Sequence, residues 1–131
     1  MRLLLDTHVL LWWLADDRKL AKAARDMIAD TNNDVHVSSA SIWEAAIKVA
    51  LGRLEMELDD LEDAVVRNGF RPLPIAIRHA VRAGRLPKVH RDPFDRMLVA
   101  QASVEELRVL SHDRVFERYG LSHEGLPPII V

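Results

Sequence analysis

A chain of 131 residues, about half of them apolar and none of them cysteine, has the size of one ordinary domain and buries roughly two thirds of the surface its unfolded form exposes. Disulfides and thiolate metal sites are excluded, and the cysteine usage fits a reducing compartment. The formal charge of −2 gives no overall case for nucleic acid, so any such case rests on local clusters.

Arg2 to Leu5 is short and apolar, and a turn-prone Asp6-Thr7 pair follows it. The pattern predicts a buried strand and then a helix from near Thr7. Arg2 ahead of an apolar run invites a secretion-signal reading, but Asp6 and His8 interrupt that run. The apolar block after them is too short to span a bilayer, so the expectation is a soluble cytoplasmic domain covering residues 1–131. Trp12 and Trp13 cannot both point inward from one helix; one is expected in the core and the other at a protein contact.

Leu20, Ala23, Ala24, Met27 and Ile28 recur at helical spacing and predict an amphipathic helix. Asp34 to Val37 reads as a strand running into Ser38 and Ser39, both good helix caps. Ile42 to Leu51 is apolar almost all round and predicts a buried helix, with Gly52 at its left-handed C-terminal cap. A weaker helix follows, with Leu58, Leu61 and Val65 inward, ending near Asn68-Gly69. Phe70 to Leu73 fits an edge strand because Pro72 cannot donate to a ladder. Ile77, Ala80 and Val81 begin another helix, stopped around Gly84 and Pro87. Asp92-Pro93 has the form of a helix start, and Phe94, Met97, Leu98 and Ala102 supply its apolar stripe. Arg108 to Leu110 and Ile129 to Val131 read as the last strands. Strands alternating with helices imply an α/β fold with a parallel sheet covered on both faces. In such sheets ligands sit beyond the carboxyl ends of the strands.

Four carboxylates fall at junctions of this kind. Asp6 is the one acid among leucines and other apolar neighbours; helix capping explains an Asp there, but its apolar surroundings favour a site. Glu44 is equally well read as the end of a capping box from Ser41, paired with Lys48, or as a buried glutamate needing a partner. Asp92 is accounted for as a cap, whereas Asp95 lies in the first helical turn beside the Phe94-Leu98 stripe. Asp113, within Ser111-His112-Asp113-Arg114, looks locally like an ordinary turn. His8, His36, His79, His90, His112 and His123 show no zinc-site spacing. No phosphate-binding glycine loop or serine-hydrolase elbow occurs.

Taken in order, Leu4-Leu5-Asp6-Thr7-His8-Val9-Leu10-Leu11-Trp12, Ser38-Ser39-Ala40-Ser41-Ile42-Trp43-Glu44, Ile47-Lys48, Gly52-Arg53-Leu54, His90-Arg91-Asp92-Pro93-Phe94-Asp95-Arg96 and Leu110-Ser111-His112-Asp113 resemble the PIN-domain ribonucleases. The whole chain is similar to the VapC-type toxins of toxin–antitoxin pairs. That resemblance implies a three-layer α/β/α fold with a short parallel sheet flanked by helices. It assigns an acidic metal pocket to Asp6, Glu44, Asp95 and Asp113, binding Mg²⁺ or Mn²⁺. It also implies RNA hydrolysis leaving a 5′-phosphate and a 3′-hydroxyl, a homodimer, and inhibition by a VapB-like antitoxin. Ser111 stands where many relatives carry threonine, so the hydroxyl is kept. Thr7, Ser38, Ser41 and Ser111 are the hydroxyls expected around the acids, although capping explains the first three almost as well.

The local case for RNA lies between Arg78 and Arg96, where six basic residues face Asp92 and Asp95. Arg78, Arg82 and Arg85 share helical spacing and, with Arg91 and Arg96, are candidates to grip phosphates; a solvated helix face is the bland alternative. The acidic run from Glu55 to Asp63 reads as solvated surface. The competing function is a catalytically silent PIN-like module that binds RNA or protein. Phosphatase chemistry at Asp6 is disfavoured because His8 stands where a second Asp is wanted.

Overall fold

The computed structural model describes residues 1–119 and 125–131; His123, among the histidines considered above, lies outside the described residues. Strand β1 (Arg2–Leu5) leads into helix α1 (Thr7–Leu14), followed by α2 (Lys22–Ala29), β2 (Asp34–Ser38) and α3 (Ser39–Ala50). A single 3₁₀ turn at Leu58–Asp60 precedes α4 (Leu61–Arg67), β3 (Arg71–Leu73) and α5 (Ile77–Arg85). Helix α6 (Pro93–Glu105), β4 (Arg108–Ser111), a 3₁₀ segment at Arg114–Tyr119 and β5 (Ile129–Ile130) complete the order.

The five strands form one sheet in the order β3-β2-β1-β4-β5, and every pairing is parallel. The central strand has no solvent face, which is why it is written as three leucines. Leu3 and Leu5 pack on one side with Val9, Leu10, Ala24, Ile28, Val35, Val37 and Val65. Leu4 points to the other side, against Leu98, Ala102, Leu107 and Val109. This alternation follows from the two-residue period of a strand. It gives the expected layers, with α1, α2 and α4 over one face and α6 over the other.

Several local expectations need correction. Helix α2 starts at Lys22, so buried Leu20 precedes it, and Ala23 faces solvent. Helix α3 is not buried all round: its fully buried residues are Ala40, Ser41 and Ala45, whereas Trp43 is 62% exposed. It lies across the end of the sheet and therefore has one covered stripe only. Helix α5 turns its predicted apolar stripe outward, with Ile77 and Val81 exposed and His79 fully buried. Polar satisfaction explains the inversion. The backbone N–H of Ala76 donates to His79 Nδ1 at 2.9 Å, and His79 Nε2–H donates to Glu105 at 2.8 Å. Trp12 and Trp13 are both half-buried against the larger core cluster. Trp13 Nε1–H donates to Asn68 at 2.9 Å, so neither indole is left wholly outside.

The predicted stops hold. Gly52 and Gly69 have φ of +72° and +73°, the left-handed region that favours glycine after a helix. Helix α6 ends without that device, on Glu106 at φ 56°.

Candidate functional site

The chain runs outward from β1 to β2 and β3, then crosses back so that β4 lies on the other side of β1. The carboxyl ends of β1 and β4 are thus the point where strand order reverses, and a crevice opens there. Asp6 leaves β1 at this edge, and Asp113 follows β4 by two residues. Both line one cleft of about 500 Å³ with His8, Trp12, His112 and Arg114.

Asp6 is only 4% exposed and serves two purposes at once. Its Oδ1 caps α1, accepting from the Val9 N–H at 2.8 Å, while its Oδ2 accepts from the Ser111 hydroxyl. The same Ser111 oxygen accepts from the Asp113 N–H at 2.9 Å. One hydroxyl therefore fixes the acid after β1 relative to the acid after β4, the reason an alcohol is needed at this position. Burial pushes the Asp6 carboxyl up, and the Ser111 and Val9 hydrogen bonds, then the charges of His8 and His112, pull it back down. Thr7 donates to Ser41 at 3.2 Å, and both are buried, tying the start of α1 to α3. Ser38 is the cap of α3, accepting from Ala40 N–H at 3.0 Å and donating to Gln101. Ser41 is consequently inside the helix, and the capping-box reading of Glu44 falls away.

Glu44 is 13% exposed along its side chain and pairs with Lys48 at 3.4 Å. Asp92 caps α6 as expected, accepting from the N–H groups of Phe94 and Asp95 at 2.9 and 3.2 Å. Asp95 carries the clearest electrostatic signature: its carboxyl is raised from 3.8 to about 7, first by burial and then by the charges of Asp92, Glu44, Asp6 and Asp113. Acids far apart in sequence thus act on a single carboxyl, because α1, α3, α6 and the end of β4 converge on one edge.

This donor set consists of hard oxygen ligands with surplus negative charge, which suits a hard divalent cation such as Mg²⁺ or Mn²⁺. Among the described residues, no three His, Cys, Asp or Glu side chains stand close enough to enclose an ion directly. The fit is therefore to an ion that keeps several of its waters.

Sequence reasoning missed two features. His90 Nε2 lies 3.3 Å from Asp95 Oδ2, and His90 Nδ1 lies 2.5 Å from the Tyr119 hydroxyl. Burial lowers the His90 pKa, so it stands beside Asp95 as a neutral ring. The only hint was the position of His90 five residues before Asp95; nothing in the sequence pointed to Tyr119. The second is the ring cluster of His8, Trp12 and His112 on the cleft wall.

The arginines do not form one stripe beside the acids. Arg78 pairs with Glu105 at the far end of α6, about 15 Å along the helix from Asp95. Arg82 donates to Ser103 at 2.9 Å. Arg96 is half-buried and donates to the carbonyls of Pro87, Ala83 and Leu86 at 2.8 to 3.1 Å, which pins the α5–α6 connection. Arg85 and Arg91 are exposed.

The PIN domain family profile matches residues 3–121. The chain belongs to the PIN-domain family. Among solved structures, it is similar to VapBC2 from Rickettsia felis bound to a promoter DNA fragment (TM-score 0.67, 13% identity, covering 100% of this chain and 98% of that one). It is also similar to FitAcB from Neisseria gonorrhoeae (TM-score 0.64, 17% identity, 98% and 96% covered). A third similar structure is VapBC-1 from nontypeable Haemophilus influenzae (TM-score 0.63, 17% identity, 90% and 92% covered). No curated protein sequence matches the chain. Among the described residues, no helix is long and apolar enough to cross a membrane.

Proposed function

We propose that this PIN-domain protein is a metal-dependent endoribonuclease and the toxin of a VapBC-type toxin–antitoxin pair. The observation that carries the reading is the Ser111 hydroxyl, which ties the buried Asp6 carboxylate to the Asp113 backbone at the switch-point edge of the sheet; the Asp95 carboxyl, raised first by burial and then by Asp92, Glu44, Asp6 and Asp113, supports it. A structural acid placed for stability alone gains nothing from such neighbours, whereas perturbed acids brought to one edge of the sheet are the mark of a working site.

Asp6 and Asp95 would be the main ligands of the ion, with Glu44 and Asp113 completing its shell through water. When bound, Mg²⁺ or Mn²⁺ supplies a water of lowered pKa and stabilises charge on the phosphate. Ser111 and the Val9 N–H hold both oxygens of Asp6 in place. His90 Nε2 faces Asp95 Oδ2 at 3.3 Å and, held from its other side by Tyr119, positions that carboxyl. Of the arginines expected to meet RNA phosphates, Arg85 and Arg91 are exposed and keep that role.

The similar structures from Rickettsia felis and Haemophilus influenzae are VapBC assemblies, and they support a VapB-like antitoxin as partner. A homodimer and a cytoplasmic site of action complete the proposal. The test is RNA cleavage by the wild-type chain and by Asp6→Ala and Asp95→Ala chains in Mg²⁺ and Mn²⁺. Cleavage should require the ion and fall in each variant by more than the roughly 10–100-fold that loss of an outer-shell partner costs. Unchanged cleavage in either variant defeats the reading. The rival, a silent RNA- or protein-binding module, gains if neither ion releases heat or shifts the melting temperature.

A further inference from the structure

The cleft that holds Asp6 and Asp113 has an aromatic wall that the metal chemistry does not use. Trp12 packs one side of its indole against the core cluster that contains Leu5, Val9 and Leu10. Its ring centre is 5.8 Å from that of His8 and 5.3 Å from that of His112. His8 and His112 are exposed, and all three rings line the cleft with the two acids and Arg114. The rings come from two different elements, α1 and the turn after β4, and meet at the switch point. Packing of the core accounts for the buried part of Trp12. It does not account for two exposed imidazoles tilted at 40° and 58° to the indole.

We propose that this wall is a nucleobase-stacking subsite, holding one unpaired base of an RNA strand whose neighbouring phosphate lies at the acids. The inference rests on the nuclease reading for that phosphate and deepens it by naming a base-binding subsite beside it. Stacking accepts every base, because each has a π-face, and is worth enough to select a strand over free phosphate. A base inside a duplex has both faces covered by its neighbours, so only a single-stranded or bulged nucleotide can use the wall. The cleft volume of about 500 Å³ lies within the range of small-ligand sites. Arg114 stands at the rim in an exposed pair with Glu117 at 3.3 Å, an interaction weak enough to be given up for a phosphate.

Two measurements on the full chain test the subsite separately from the nuclease reading. Binding of a short fluorescein-labelled single-stranded oligoribonucleotide is read by anisotropy, in Mg²⁺, on the Asp95→Asn chain, whose ring wall is unchanged. The probe is then made abasic at each position in turn. One abasic position should weaken binding about tenfold. Adding Trp12→Leu or His112→Ala should weaken the intact probe while abolishing most of the difference between intact and abasic probes. Trp12→Phe should restore it. His112 is exposed, so its variant keeps the test sound should Trp12→Leu fail to fold. Equal weakening of intact and abasic probes by both variants overturns the stacking subsite, as does absence of binding. Cleavage of the intact probe by the wild-type chain in Mn²⁺ is scored apart: base-dependent binding without cleavage keeps the subsite and removes the nuclease reading.

Discussion

Asp95→Asn should make the ion-free protein more stable at pH 8, although it removes a residue at the heart of the site. In the folded chain the Asp95 carboxyl titrates at about 7 against an ordinary value of 3.8. An acid raised by folding binds more protons folded than unfolded between those two values. Stability from this group is therefore full below about pH 4, declines as pH rises, and is lost above about 7. The difference corresponds to about 4 kcal/mol; discounted for water reaching a side chain 21% exposed, a loss on the order of 2–4 kcal/mol is expected. Asparagine keeps the size and cannot ionise, so it escapes this loss. Urea denaturation in EDTA at pH 5 and pH 8 reads the effect. Wild type should weaken markedly between the two, and the variant much less, the residual slope being set by Asp6, whose carboxyl is also raised, against His36 and His90, which burial lowers and which act in the opposite sense. Mg²⁺ at pH 8 should stabilise wild type more than the variant. If both proteins show the same slope in EDTA, the crowding of acids at the switch point is refuted.

Ser111→Ala should cost about 1–3 kcal/mol, because it leaves a buried Asp6 oxygen and the Asp113 N–H without their shared partner; Ser111→Thr should retain both stability and cleavage, and thermal melts with cleavage rates decide this. Arg96→Ala should lower the melting temperature by removing donors to three backbone carbonyls, at about 2 kcal/mol. Arg91→Ala, on an exposed residue, should leave stability within about 0.5 kcal/mol and weaken RNA binding in a salt-dependent way; equal melting shifts for the two would undo the division of roles. Glu106→Gly should stabilise by about 1 kcal/mol, since Glu106 holds a φ of 56° where glycine is at ease. A chemical denaturation midpoint that does not rise would contradict it.

The sequence by itself determined the elements and their order. Leu3-Leu4-Leu5 reads as a strand with no wet face, Gly52 and Gly69 as helix stops, and Asp92-Pro93 as a helix start, because each signal is local and depends on backbone sterics or capping. That Asp6 needs partners was legible for a related reason: a carboxylate among leucines is costly unpaired wherever the chain goes. Only the tertiary structure decided which partners it met. The Ser111 hydroxyl, the charge of Glu44 on Asp95, the His90–Tyr119 contact and the Trp12–His112 wall all join residues far apart in the chain. Sequence spacing carries no record of such distances. The same holds for the two helices whose faces were misjudged. Trp43 on α3 and Ile77 on α5 are apolar at helical spacing, yet which side of a helix is covered depends on what packs there. On α5 the buried hydrogen bonds of His79 outweighed the apolar stripe.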